Sequence, residues 1–235
     1  ARNSEEEIVD SLAELMCQYE EFRNGYIDNL KAARTSVAEY INMSQMIRTE
    51  FIRQTHHLRG VYNVRALQKK ISSAVGERYS NYFVEDLAAV CRCHGENLES
   101  VFDLPVQRID WRNETSNIQF VAMMLRLGDV IHFDSGRAPL SLFAEKQITD
   151  AVSFKHWNAK FQELEFGFYK EKDTVKLKFM AYCKEPEIYY FIQDYLDWVD
   201  NEIDNYYVLK NRWETAKISN FENYNLSLGT KVDRS

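Results

Sequence analysis

Apolar residues recur every three or four positions through most of the first 131 residues, the spacing of helices with one buried face. Ser4-Glu5-Glu6-Glu7 reads as a capping box, a serine N-cap with glutamate three residues on. Behind it Ile8, Leu12, Leu15 and Met16 form a stripe. Helical patterning resumes from about Tyr26 to Met46 after a break at Arg23-Asn24-Gly25, and a further helix is expected from Ile47 to about Val61. Ala66 to Ser73 reads as helix, followed by a loop around Gly76. Phe83 to Cys93 reads as a short apolar helix with Val84, Leu87, Ala88, Val90 and Cys91 inward. A loop should run from Leu104-Pro105 to Asn117. There Ser116-Asn117-Ile118-Gln119 reads as a second capping box, opening an apolar helix through Ile118, Val121, Ala122, Met124, Leu125 and Leu127. Asp129 follows Leu125 by four residues and is therefore expected on the same buried face, where a carboxylate is costly without a partner or a metal.

The period changes after about Asp150. Leu164, Phe166 and Phe168 alternate with Glu163, Glu165 and Gly167, and Val175, Leu177, Phe179, Ala181 and Cys183 alternate around Lys176 and Lys178. This is the signature of two strands joined by a turn at Lys170–Thr174, with Glu and Lys pairing across the solvent face. Pro186 opens a long helix striped by Ile188, Ile192, Tyr195-Leu196, Val199 and Ile203, and a polar, frayed tail is expected over the last ~15 residues. The predicted class is mainly α: a helical core over residues 1–150, then a β-hairpin and a long closing helix over 151–235 that pack on it.

Composition narrows the function. With 235 residues, 45% hydrophobic and 28% charged, the chain can bury a sizeable core, and only 8 Gly and 3 Pro suit long helices. A net charge of −7 argues against a general nucleic-acid binder. No apolar run approaches the roughly 18 residues of a membrane span. Cys17, Cys91, Cys93 and Cys183 have no disulfide spacing, and Cys91-x-Cys93-His94 lacks the second pair a zinc knuckle needs. The cytosol is the expected compartment.

Three polar clusters interrupt helices that should be buried. They are Thr55-His56-His57-Leu58-Arg59-Gly60, Cys91-Arg92-Cys93-His94-Gly95-Glu96, and Leu125-Arg126-Leu127-Gly128-Asp129 with His132 and Arg137 beyond. Two imidazoles and a carboxylate from three helices can hold a divalent ion, which lowers the pKa of a water and polarises a phosphoryl oxygen. The competing reading is structural: hydrogen-bonded histidines, and Asp129 neutralised by Arg126, Arg59 or Arg137.

In their order, Arg53–Arg59, Leu87–Glu96 and Leu125–Ile131 with Arg137-Ala138-Pro139 after it, these clusters resemble the HD superfamily of metal-dependent phosphohydrolases. That family carries a histidine, a His-Asp dipeptide and a later aspartate on successive helices. More narrowly, Lys155-His156-Trp157, the hairpin and the closing helix make the chain similar to HD-like domains N-terminal to bacterial GHKL-type ATPases, the class of the ninety-kilodalton heat-shock chaperone. The resemblance implies a metal centre (Mn, Mg, Fe or Zn) on His56 or His57, His94 and Asp129, with Arg59, Arg92 or Arg137 holding phosphate and Glu96 and Arg59 as catalytic candidates. His56 and His57 point about 100° apart on a helix, so only one is expected to face such a centre. His94-Gly95 stands where the superfamily has His-Asp, which removes one ligand and favours a single ion; Glu96 can substitute only if the backbone turns.

Three functions follow as expectations. One is a phosphohydrolase acting on a nucleotide or phosphoester. Another is a regulatory module that binds a nucleotide without turnover and signals to an ATPase domain, in the same polypeptide or on a partner chain. The third is a homodimerising scaffold using the aromatic helix from Tyr189-Tyr190-Phe191 to Trp213.

Overall fold

The structure, a computed structural model, describes residues 4–109, 113–131 and 151–234. His132 and Arg137 lie outside the described residues. The protein is mainly α, with a small strand-containing region and a long closing helix, as the patterning predicts. It divides into two compact units, one of Ala1–Ser100 with Ile109–Glu114, the other of Val101–Arg108 with Thr115–Ser235.

The first unit holds α1 (Ser4–Asn24), α2 (Ile27–Ala32), α3 (Val37–Ala66), α4 (Gln68–Val75) and α5 (Glu77–Cys93). Where two helices were expected between Tyr26 and Val61, a 3-10 turn at Ala33–Thr35 ends the first, and α3 then runs unbroken for 30 residues, roughly 45 Å. The break falls at Ser36 because its side chain caps α3, accepting from the Glu39 amide at 3.5 Å. Between Ser36 and Ala66 no Gly before Gly60 and no Pro interrupts the helix. Helix α5 starts six residues earlier than the apolar stripe alone implied, directly after Gly76, whose φ of +86° separates it from α4.

Ile47, Phe51 and Val61 of α3 and Val84, Ala88 and Val90 of α5 are buried, and Tyr19 and Phe22 of α1 set their rings on Phe51 at 5.2 and 5.6 Å. The backbones approach closely at Gly60: a Cβ there would stand 3.3 Å from the Cys91 Cβ. Beyond that crossing, Arg65 forks onto Glu85 at 3.3 and 2.8 Å.

Short elements α6 (Glu99–Phe102), β1 (Arg108–Ile109) and β2 (Thr115–Ser116) lead to α7 (Ile118–Ile131), which lies in the second unit. The cap of α7 is Asn117 rather than Ser116: its Oδ1 accepts from the Phe120 amide at 3.0 Å. Gln119 is freed for the core, where it donates to the Phe102 and Leu104 carbonyls and accepts from Trp213 Nε1 at 2.9 Å. After α8 (Ala151–Gln162), β3 (Glu163–Glu171) pairs antiparallel with β4 (Thr174–Ala181), placing Phe166 opposite Phe179. The turn is tighter than expected, with only Lys172 and Asp173 between the strands, and Lys178–Glu165 and Lys176–Glu171 form the anticipated ion pairs.

Helix α9 (Pro186–Thr215) buries Ile188, Ile192, Leu196, Val199, Ile203, Tyr206, Leu209 and Trp213, a stripe stepping by three or four residues. The tail that was expected to fray is held instead. Strand β5 (Asp233–Arg234) adds parallel to β4, Val232 is buried, and Arg234 bonds Asp197, Asp200 and Gln193. Tyr206, whose hydroxyl burial pushes up to about 12, takes the Leu226 amide at 2.6 Å.

Candidate metal centre

The first two polar clusters meet beside the point where Gly60 of α3 faces Cys91 of α5. Gly60 contributes no side chain at the crossing, so Cys91 comes in against it. The imidazoles three or four residues away are thereby brought together, ring edge toward ring. His56 lies on α3, and His94 is the C-terminal cap of α5. Their Nε2 atoms stand 2.8 Å apart, with ring centroids at 4.8 Å.

The other nitrogen of each ring is fixed by its own helix. His56 Nδ1 lies 2.7 Å from the Arg53 carbonyl and His94 Nδ1 2.5 Å from the Cys91 carbonyl. A carbonyl only accepts, so each Nδ1 carries a proton, and in the neutral ring the Nε2 is then the nitrogen with a lone pair. Two lone pairs at hydrogen-bond distance repel unless a proton or a cation lies between them. Donation of the rear N–H to a backbone carbonyl is also how metal-ligating histidines are usually oriented.

His56 and His57 diverge as a helix requires, and each meets a different part of the α5 terminus. His56 meets the His94 ring, whereas His57 turns onto the backbone of Gly95. The His57 ring is edge-on to both other imidazoles, with centroids 5.9 Å from His56 and 6.2 Å from His94. It is 9% exposed, and its Nδ1 has no hydrogen-bond partner among the described residues. Burial, then the neighbouring His56 and His94, hold its pKa below the ordinary histidine value.

Glu96 is half-buried and receives Arg92 Nε at 2.9 Å, so both candidates are engaged with each other; Arg92 is largely exposed. Arg59 is exposed on α3. A cleft of about 440 Å³ adjoins this corner, lined by Leu58, Tyr62, Arg65, Glu85, Arg92 and Glu96 among others. Cys93 is buried and donates to the Ser100 carbonyl at 3.3 Å, and burial raises the Cys91 thiol pKa. Both cysteines therefore sit as structural thiols.

Asp129 belongs to the second unit. It is exposed rather than buried. The spacing argument was sound, since Leu125 is itself 38% exposed; the face had been misassigned. The buried face of α7 carries Ile118, Ala122, Met123, Leu127 and Val130. Arg126 lies on that face too, and it is taken by Glu202 in a two-pronged bond at 2.9 and 2.6 Å. The Glu202 pairing was not legible in the sequence, because the two residues lie 76 positions apart. His156, in the His-Trp segment, packs edge-on against Phe191 at 4.7 Å.

Set against known families, residues 2–205 match the family model described as HD-CE. No curated protein and no solved structure matches the chain.

Proposed function

The chain belongs to the HD-CE family, and from that premise we propose that it is a metal-dependent phosphohydrolase-like domain, holding one divalent ion on His56, His94 and Asp129 and acting on a nucleotide or phosphoester. The observation that carries this reading is the His56–His94 contact, two Nε2 atoms at 2.8 Å with both Nδ1 protons already committed to backbone carbonyls. Two imidazole nitrogens this close would be able to hold one divalent ion between them. That spacing supports a shared ion on the two imidazoles. Asp129 is the carboxylate proposed to complete the set.

A bound divalent ion would supply Lewis acidity to a phosphoryl oxygen and a more acidic water. The chain's own residues do the rest. The Arg53 and Cys91 carbonyls orient the two imidazoles. Arg59 and Arg92 are the proposed phosphate donors, with Arg137 a third from outside the described residues. Arg92 would exchange Glu96 for phosphate, and Glu96 is the proposed proton acceptor.

Elemental analysis and phosphate release with Mn²⁺ on a nucleotide and phosphoester panel test the proposal. The expected result is about one ion per chain and turnover, both lost in His94→Ala and Asp129→Ala. A protein that stays metal-free and inactive when Mn²⁺ or Zn²⁺ is supplied overturns it.

A second reading has its own observation. Gly95 removes one carboxylate from the superfamily's pattern, which suits a domain that binds a nucleotide and signals to an attached or partnering ATPase without hydrolysing it. Calorimetric nucleotide binding without phosphate release would select this reading.

A further inference from the structure

Between Pro186 and Tyr207 the chain holds six carboxylates, Glu187, Asp194, Asp197, Asp200, Glu202 and Asp204, and no lysine or arginine. Asp194–Asp197, Asp197–Asp200 and Asp200–Asp204 stand three or four residues apart on α9, a spacing at which like charges repel. The fold answers part of that repulsion. Arg126 takes Glu202, Arg234 takes Asp197 and Asp200, and Lys155 reaches Glu187 at 3.5 Å. Asp194 and Asp204 are exposed and form no ion pair among the described residues. Two large aromatic side chains share their side of the helix. Tyr190, Asp194 and Trp198 follow one another at steps of four, so they are neighbours along one row. Tyr190 is 66% exposed and Trp198 51%, and the Trp198 ring stands perpendicular to that of Tyr195 at 6.2 Å. Asp197, Asn201, Asp204 and Val208 extend the same face at steps of three or four, and Val208 is 47% exposed. From Tyr190 to Val208 that face is roughly 27 Å long. An ordinary solvated helix face mixes both signs of charge and carries few large aromatics. This one offers π-faces beside carboxylates, with no cation between Pro186 and Tyr207.

We infer that this face of α9 docks a cationic, arginine-bearing helix of a partner protein. A guanidinium suits the row better than an ammonium, because it forks onto a carboxylate and stacks flat on an aromatic ring. A helix suits its shape: side chains spaced by three and four along about five turns match the same spacing on a helix laid alongside. A second copy of this chain does not fit, since a two-fold axis on the face would set Asp194, Asp197 and Asp204 against the carboxylates of the other copy. An anionic membrane surface is excluded by the same charge. None of the proposed ion ligands lies on α9, so docking here does not depend on the metal reading.

The test is fluorescence anisotropy with the full chain and a labelled helical peptide that carries arginine and leucine on one face. Saturable binding is expected, weakening as salt rises. Trp198→Ala, and Asp194→Asn combined with Asp204→Asn, should each weaken it on the order of 10-fold, and the same peptide with lysine in place of arginine should bind less well. Asp28→Asn combined with Asp173→Asn removes the same charge from exposed positions elsewhere and should change nothing, which separates docking on α9 from attraction to the chain's net charge of −7. All the substituted side chains are exposed, and circular dichroism checks that each variant folds. No saturable binding, or α9 variants that bind no worse than the control, overturns the proposal. So does light scattering that shows a dimer which Trp198→Ala dissociates, because the occupant would then be a second copy of this chain.

Discussion

Each unit buries charged or polar side chains on helices, and the two do so in opposite ways. In the second unit Arg126 and Glu202 are almost wholly buried, yet guanidinium and carboxylate meet in a bidentate fork. In the first unit three imidazoles gather at the α3–α5 crossing, two of them with Nε2 facing Nε2, and the third has a buried Nδ1 without a hydrogen-bond partner among the described residues. A satisfied pair neutralises itself and leaves nothing for a ligand to do. Imidazoles that meet nitrogen to nitrogen are a candidate site. The contrast separates architecture from chemistry among residues that look equally conspicuous in the sequence.

The largest expected effect breaks the satisfied side. Glu202→Ala strands a buried guanidinium and should cost about 3–5 kcal/mol in urea unfolding, whereas replacing both partners with Met and Leu should cost far less. Equal losses for the single and double variants would mean that the fork is not the unit of stability. Next comes the imidazole cluster. Zn²⁺ at about 100 times its Kd should stabilise the protein by about 2.7 kcal/mol, an increment seen in thermal unfolding and abolished by His56→Ala or by chelator. Arg126→Lys should leave that increment intact, because Arg126 is committed to Glu202 and is not one of the proposed ion ligands.

A smaller effect comes from His57 itself in chelator-treated protein. Its folded pKa is depressed below the unfolded value near 6.5, so the folded state resists protonation that the unfolded state accepts. Stability is therefore fully present above about pH 6.5 and falls as the pH drops below it, until the folded group also protonates. His57→Leu should flatten that part of the stability–pH curve; an unchanged slope would assign the acid sensitivity to other groups. The smallest effect concerns the α7 cap. Asn117→Ala should cost about 1 kcal/mol and Ser116→Ala close to nothing, which a pair of denaturant melts resolves.

How much of this was legible beforehand differs by element. The hairpin and α9 were legible because strict alternation and a three-or-four stripe each match one backbone period. The tail was not, because its binding to β4, Asp197 and Asp200 depends on partners some thirty or more residues away. The α7 cap was misread because Ser116 and Asn117 are both good caps, and only the dihedral path into the helix chooses between them.

The sequence by itself determined that His56, His57 and His94 are chemically able to bind an ion, that they sit at helix positions, and that the motifs run in HD order. Only the tertiary structure decided which nitrogens are committed, that His57 occupies the space above Gly95, and that Asp129 lies on the exposed face of α7 while Arg126 takes the buried one. The reason is geometric. Helical periodicity states which residues share a face, but how close two helices approach, and at which pair such as Gly60 and Cys91, is settled by side-chain volumes meeting across the interface.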